Sequence, residues 1–265
     1  QIGGCTVSRV NPDHIYLHLD PYQKNLSLKR MKSIYSFAES VGKYLSGRQF
    51  DLLYIIVPAN SFVPVAEKLK KQSGAKVVFD ILDLWPESIP IPGIQKLPPL
   101  KIWRNLRDRH ISCADLIFTE CRLYQELISL PREKTHTLYL FGKNEEEISG
   151  SGNNETADIS SPLRVAYLGS INYLIDVPMI TEVLSALQKK TQVTVDVIGE
   201  GETKEKLLKA LEQTKVTIAD HGAVFDEDQK KEILSKCRFG LNMMVPLVRV
   251  GLTMKSLDDL AHGLL

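Results

Sequence analysis

Four cysteines in 265 residues, none of them in a CxxC pair, are too few and too scattered for a disulfide framework. Cys5, Cys113, Cys121 and Cys237 are therefore expected to be buried free thiols of a reducing cytoplasm. Long apolar runs are missing as well. No stretch approaches the roughly 18 uninterrupted apolar residues that a spanning helix needs, and no charged-then-apolar leader marks export. Net charge is almost absent, at +1 overall, and no nucleic-acid motif accompanies it, which argues against a nucleic-acid partner. No Ser-His-Asp set and no metal-ligand cluster can be picked out. His14 and His18 share one strand face with Tyr16, too far apart for an obvious metal pair. No internal repeat of the 20–50 residue kind is present.

What the chain has is the ordinary composition of a globular protein, 43% hydrophobic and 25% charged. Its length suits two domains better than one. The small net charge hides an asymmetry: residues 1–143 hold 20 Lys and Arg against 13 Asp and Glu, and the remainder holds 13 against 19. Opposite signs in the two halves fit two domains that face different partners. The sequence opens at Gln1 and stops at Leu265 inside an apolar pattern, so truncation is expected at one or both ends.

Apolar runs alternate with amphipathic helical patterns, the mark of βαβ units on a parallel sheet. In the first half, strands are expected at 14–19, 51–57 (a buried one), 76–80, 116–119 and 135–140. Helices are expected at 27–46, 61–72, 100–113 and 121–129, with a proline-rich loop over 86–99. Residues 143–161 combine three glutamates, Gly150-Ser151-Gly152 and several Asn and Ser with almost nothing apolar, the composition of a linker. A second series follows, with strands at 164–168, 193–198, 216–218 and 239–243 and helices at 177–190, 203–213 and 226–236. The expected plan is an N-terminal doubly wound domain over 1–143, a linker over 144–161 and a second such domain, incomplete, over 162–265.

The second series carries the strongest local pattern. Val195-Asp196-Val197-Ile198-Gly199-Glu200-Gly201 runs from a strand through glycines into a helix, and Tyr167-Leu168-Gly169-Ser170 repeats that design one unit earlier. Glycine lets a ligand approach the backbone, a helix N-terminus attracts an anion, and open α/β sheets bind ligands at the carboxyl ends of their strands. Lys255 precedes an acid-led helix, so it can meet a phosphate while Asp258 accepts hydrogen bonds from ribose hydroxyls. A capped helix with a solvated lysine explains the same residues. In the first half, Asp80, Asp83 and Glu87 surround Trp85-Pro86 at a strand end, either as a ligand wall or as loop and helix caps.

The run Lys255-Ser256-Leu257-Asp258-Asp259-Leu260-Ala261-His262-Gly263 resembles a segment of family-four retaining glycosyltransferases, and Asp80-Ile81-Leu82-Asp83-Leu84-Trp85-Pro86-Glu87 resembles one common in bacterial members that build surface polysaccharides. The resemblance implies two Rossmann-like domains, the GT-B architecture, and sugar transfer from a nucleotide-sugar to a saccharide or lipid-linked acceptor in the cleft between them. It implies retention of configuration, while helix N-termini behind Gly169 and Gly199 together with Lys255 can stabilise the leaving diphosphate without a metal, and no cofactor is expected. Asp258 stands at the ribose-binding position, Val250 replaces the usual earlier glutamate, and Ser170 stands where an arginine is common. Lys255, helped by Arg249, is then the phosphate cation. Gly169, Gly199, Glu200 and Gly201 would border the diphosphate, and His221 and Phe225 the nucleobase. Trp85 and Glu87 would wall the acceptor, with Asp83 as the catalytic candidate. The basic helix at 100–113, with Trp103, suits anionic headgroups at the inner face of the plasma membrane, or simply a solvated face. A sugar-nucleotide 2-epimerase and a non-catalytic member share the architecture and are the alternatives.

Overall fold

The computed structural model describes residues 6–11, 14–18, 27–57, 59–89, 91–140, 162–248 and 253–264. Gly3, Gly4, the expected linker over 144–161, Arg249 and Val250 lie outside them. The described residues divide into two compact units, the first ending at Tyr139. Each is built on a four-stranded, wholly parallel sheet, so the chain is α/β with two Rossmann-like halves.

In the first unit the sheet order is β3 (Leu52–Val57), β4 (Lys76–Ile81), β5 (Leu116–Thr119) and β6 (Thr135–Thr137). β1 (Thr6–Asn11) and β2 (His14–His18) pair antiparallel and stand apart from that sheet. The 14–19 run therefore does not open the parallel series. Only two residues separate the strands, whereas a parallel crossover needs a dozen or more. α1 (Leu28–Leu45) starts at Ser27, whose side chain accepts from the Arg30 amide. It packs on α2 (Phe62–Ser73) through a Phe37–Phe62 edge contact, and Gly42 lies so close to Val65 that a Cβ there would fall 2.9 Å from its Cγ1. α2 turns Val63, Ala66 and Leu69 inward at a spacing of three and ends at Gly74, whose positive φ only glycine adopts freely.

The core of this unit joins Val57, Val77, Phe79, Ile81 and Ile117 to Val63, Ala66 and Tyr124, where Tyr124 belongs to α4 (Arg122–Leu127). It occupies one face of the sheet. On the other, Leu52, Tyr54 and Ile56 of β3 are half exposed, so the strand expected to be buried is an edge strand covered on one side only. Its continuous apolar run does not reveal this, because strands buried on one face and on both can share that composition. The proline-rich loop leads into α3 (Pro98–Asp108), whose first turn holds Pro98 and Pro99, and a 3₁₀ turn at Ile111–Cys113 completes the span expected as one helix.

In the second unit the sheet order is β10 (Phe239–Gly240), β7 (Leu163–Leu168), β8 (Val193–Ile198) and β9 (Thr217–Gly222). α5 (Val177–Gln188) and α6 (Lys204–Glu212) cover one face, burying Ile180, Leu184, Leu207 and Leu211 against Val165, Val195 and Val197. α7 (Glu227–Leu234) lies on the other, where Ile233, Leu234 and Leu264 meet Ala166, Leu168 and Ile198. α8 (Met254–Ala261) follows, with the Thr253 hydroxyl accepting from the Ser256 amide at its N-cap. β10 has two residues, shorter than the run expected over 239–243, and Leu241 continues from it by donating its amide to Ala166 O.

Candidate donor and acceptor edges

The glycines at the carboxyl edge of the second sheet serve backbone packing first. A Cβ on Gly199 would lie 1.9 Å from Gly169 O, and one on Gly201 would lie 2.1 Å from Ile171 O. The loops leaving β7 and β8 thus touch main chain to main chain, tied by Gly169 N–H to Ile198 O and Ile171 N–H to Glu200 O. Gly169 has a φ of +111° and makes room for a different neighbour, since its Cβ would meet Lys255 Cε at 2.8 Å.

Lys255 therefore runs its aliphatic stem over Gly169. Its Nζ donates to the Tyr167 hydroxyl at 2.5 Å and to Ser170 O at 3.3 Å, and lies 4.2 Å from the centre of the Tyr167 ring. Burial pushes the Tyr167 phenol well above its ordinary range, so it stays neutral and donates its own proton to Ser170 O. Every partner of this ammonium is neutral. Burial pulls its pKa down to about 8, partly offset by the negative charge of Asp259. Among the described residues no carboxylate is bonded to this half-buried cation, so its charge is not neutralised by a direct ion pair. Asp258 is partly exposed on the same helix, and its side chain has no hydrogen bond among the described residues.

Other expected donor residues are placed differently. Glu200 is ion-paired to Lys204, which also bonds Asp220. The N-terminus of α5 does not follow Gly169 directly; it starts eight residues later, at Val177, and is capped by Asp176. Phe225 is 91% exposed beyond the end of β9, a bare ring face. His221 is the extra residue of a bulge, because the ladder passes from Val197–Asp220 to Ile198–Gly222. That slip turns the imidazole to Asp196, Nε2 to Oδ1 at 2.8 Å. Asp196 is fully buried in β8 and also binds Arg164, while the Cys237 thiol lies at 3.5 Å. The pattern of apolar residues gave no sign of this polar knot.

At the carboxyl edge of the first sheet, three carboxylates gather: Asp80, Asp83 and Glu120. Asp80 is buried and accepts from the Tyr54 hydroxyl on Oδ2, while its Oδ1 has no partner among the described residues. Asp83 opens to solvent, yet crowding by protein atoms raises its pKa against the pull of Arg30. Glu120 is raised by burial first and then by Asp83. No sequence motif singles out Glu120. Its one signal was its place immediately after the strand Leu116–Thr119. Trp85 stacks edge-on against Trp103 at 5.9 Å, with the Arg30 guanidinium 4.8 Å above its ring, and Asn60 donates to its carbonyl.

Glu87, by contrast, is occupied by a fully buried guanidinium. Arg107 Nη2 and Nη1 reach its two oxygens at 2.8 and 3.0 Å. Glu87 thus fastens the Trp85 loop to α3. Glu87→Gln leaves the arginine with only the half-exposed Asp108 as a counter-charge, and is expected to destabilise the first unit by about 3 kcal/mol. A thermal melt checks this; an unchanged melt with a raised acceptor KM would instead make Glu87 an acceptor contact.

Among the described residues, no group of three or more His, Cys, Asp or Glu side chains is placed to hold a metal ion, and no helix is long and apolar enough to cross a membrane. No protein-family model and no curated protein matches the chain. Solved structures do. The chain resembles an α,α-trehalose-phosphate synthase (UDP-forming) from Burkholderia xenovorans in complex with glucose-6-phosphate, at a TM-score of 0.61 and 10% identity, over 89% of this chain and 62% of that one. It resembles the lipopolysaccharide outer core galactosyltransferase WaaB at 0.56 and 14%, over 91% and 62%. HepE of Anabaena in complex with UDP follows at 0.51 and 14%, over 77% and 55%. The fold is thus that of GT-B glycosyltransferases. The chain spans about three-fifths of the length of these structures.

Proposed function

We propose that the chain is a glycosyltransferase that takes a sugar from a nucleotide-sugar and delivers it to a saccharide or lipid-linked acceptor, with retention and without a metal or cofactor. The observation that carries this reading is the Lys255 ammonium, half-buried at a strand-end edge with only neutral partners, where an anionic leaving group completes it. The fold it shares with a UDP-bound glycosyltransferase supports the same reading. In sugar transfer the chief electrostatic task is to stabilise the diphosphate as it leaves, and a fixed cation in a partly dry site does that.

Asp258 would take ribose hydroxyls and Phe225 would offer its face to the base, with the main chain of Gly169 and Ser170 beside the diphosphate. On the other unit, Asp83 and Glu120 would receive acceptor hydroxyls beside Trp85. We place the activity at the inner face of the plasma membrane, in the making of surface polysaccharide. There Lys101, Arg104 and Arg109 of the α3 region would meet anionic headgroups.

Binding comes first as a test. Calorimetry with UDP, GDP and ADP is expected to find at least one that binds at micromolar to millimolar Kd. A nucleotide-sugar panel is then expected to release diphosphate only when an acceptor is present. No binding to any of the three nucleotides would sink the reading, and release without acceptor would replace transfer by hydrolysis.

A further inference from the structure

Asp259 lies one turn beyond Lys255 on α8, the spacing at which helix side chains interact. Asp259 is buried, with 8% of its surface exposed, and its buried Oδ1 has no hydrogen-bond partner among the described residues. It presses on the β10 main chain: a Cβ on Gly240 would lie 2.4 Å from the carboxyl carbon and from Oδ2. Only glycine at 240 leaves room for it. A carboxylate with an unbonded oxygen in a dry place is unfavourable unless a charge of opposite sign balances it.

The charged groups acting on Asp259 are Lys255, which favours the ionised form, and Asp258, which opposes it. Burial, the largest cause, acts with Asp258 against Lys255 and raises its pKa to about 6. Lys255 in turn has Asp259 as the one charge acting on it among the described residues, since Tyr167 and Ser170 O are neutral.

We propose that Asp259 is a positioning residue that keeps the Lys255 ammonium charged, ready for an anion. This rests on Lys255 as the diphosphate cation. Lys255 is protonated below its pKa, so anion binding is held at lower pH and lost as pH rises through about 8. Without the carboxylate, burial acts on the amine unopposed, and the loss begins at lower pH.

The test uses UDP-glucose, whose diphosphate does not titrate near neutrality, on the whole chain. In Asp259→Asn the midpoint of the affinity-against-pH curve is expected to fall by about one pH unit, so that binding at pH 8 is about fivefold weaker while binding at pH 6 is little changed. Gly240→Ala, which displaces the carboxyl group, is expected to shift the curve in the same direction. A second readout needs no ligand: the Lys255 Nζ titration followed by NMR in the free protein is expected to move down in Asp259→Asn, and the Asp259 carboxyl titration to move up in Lys255→Met. Curves that superimpose, or move the other way, overturn the proposal. UDP-glucose that fails to bind while the NMR titrations shift as stated counts against the donor reading and leaves the pairing upheld.

Discussion

Gly199→Ala is expected to unfold the carboxyl edge of the second sheet. The new methyl group would sit 1.9 Å from the Gly169 carbonyl oxygen, well inside van der Waals contact, and the obstacle is backbone rather than a flexible side chain. Relief requires the β7 and β8 loops to separate, breaking the hydrogen bonds from Gly169 N–H to Ile198 O and from Ile171 N–H to Glu200 O. Overpacking of this kind costs about 3 kcal/mol, or a fall of roughly 10–20 °C in the melting of a unit this size. Differential scanning calorimetry reads it directly. The same change moves the Gly169–Ser170 main chain, so nucleotide binding should weaken along with stability. A variant that melts like wild type would mean that the two loops separate freely, and the packing account would have to be dropped.

Lys255→Ala has the opposite signature. Its ammonium costs the folded state desolvation and has no carboxylate bonded to it, so the melt should fall far less than in Gly199→Ala, the remaining loss coming from the balance it gives Asp259. Function should change a great deal. Loss of a charge-assisted hydrogen bond to a diphosphate corresponds to about 1.5–3 kcal/mol of binding, or roughly 10–100-fold in Kd. Removing a donor aimed at developing charge lowers turnover by about 10²–10³. Lys255→Arg should restore little of either, because a delocalised planar fork does not reproduce the compact point charge that Lys255 holds at the Tyr167 hydroxyl and Ser170 O. Calorimetry with the nucleotide that binds wild type, run beside a thermal melt, separates the two effects. Unchanged affinity in Lys255→Ala would remove the central support for the donor site.

Much of the fold was legible because alternating apolar and amphipathic segments leave a parallel sheet few alternatives. The turns into glycine after β7 and β8 were equally visible, and so was Lys255 ahead of an acidic pair. The meaning of the glycines was not. A glycine that admits a ligand and one that admits another main chain look the same in sequence, and at 199 and 201 the other main chain occupies the space. Glu87 and His221 show a second limit. Their partners, Arg107 and Asp196, stand 20 and 25 residues away in sequence. Only the fold brings them together, and for His221 a one-residue slip in the ladder is also needed.

The sequence by itself determined the α/β class, the division into two series and the short-range chemistry of strand ends, since these follow from periodicity and from what glycine and charge do locally. The tertiary structure decided which of those charges are already spent. Glu87, Glu200 and His221 are held by Arg107, Lys204 and Asp196, whereas Lys255 lies half-buried on neutral groups. The physical reason is that a charge's availability depends on its nearest partner and on its burial, and both are set by contacts between segments far apart along the chain.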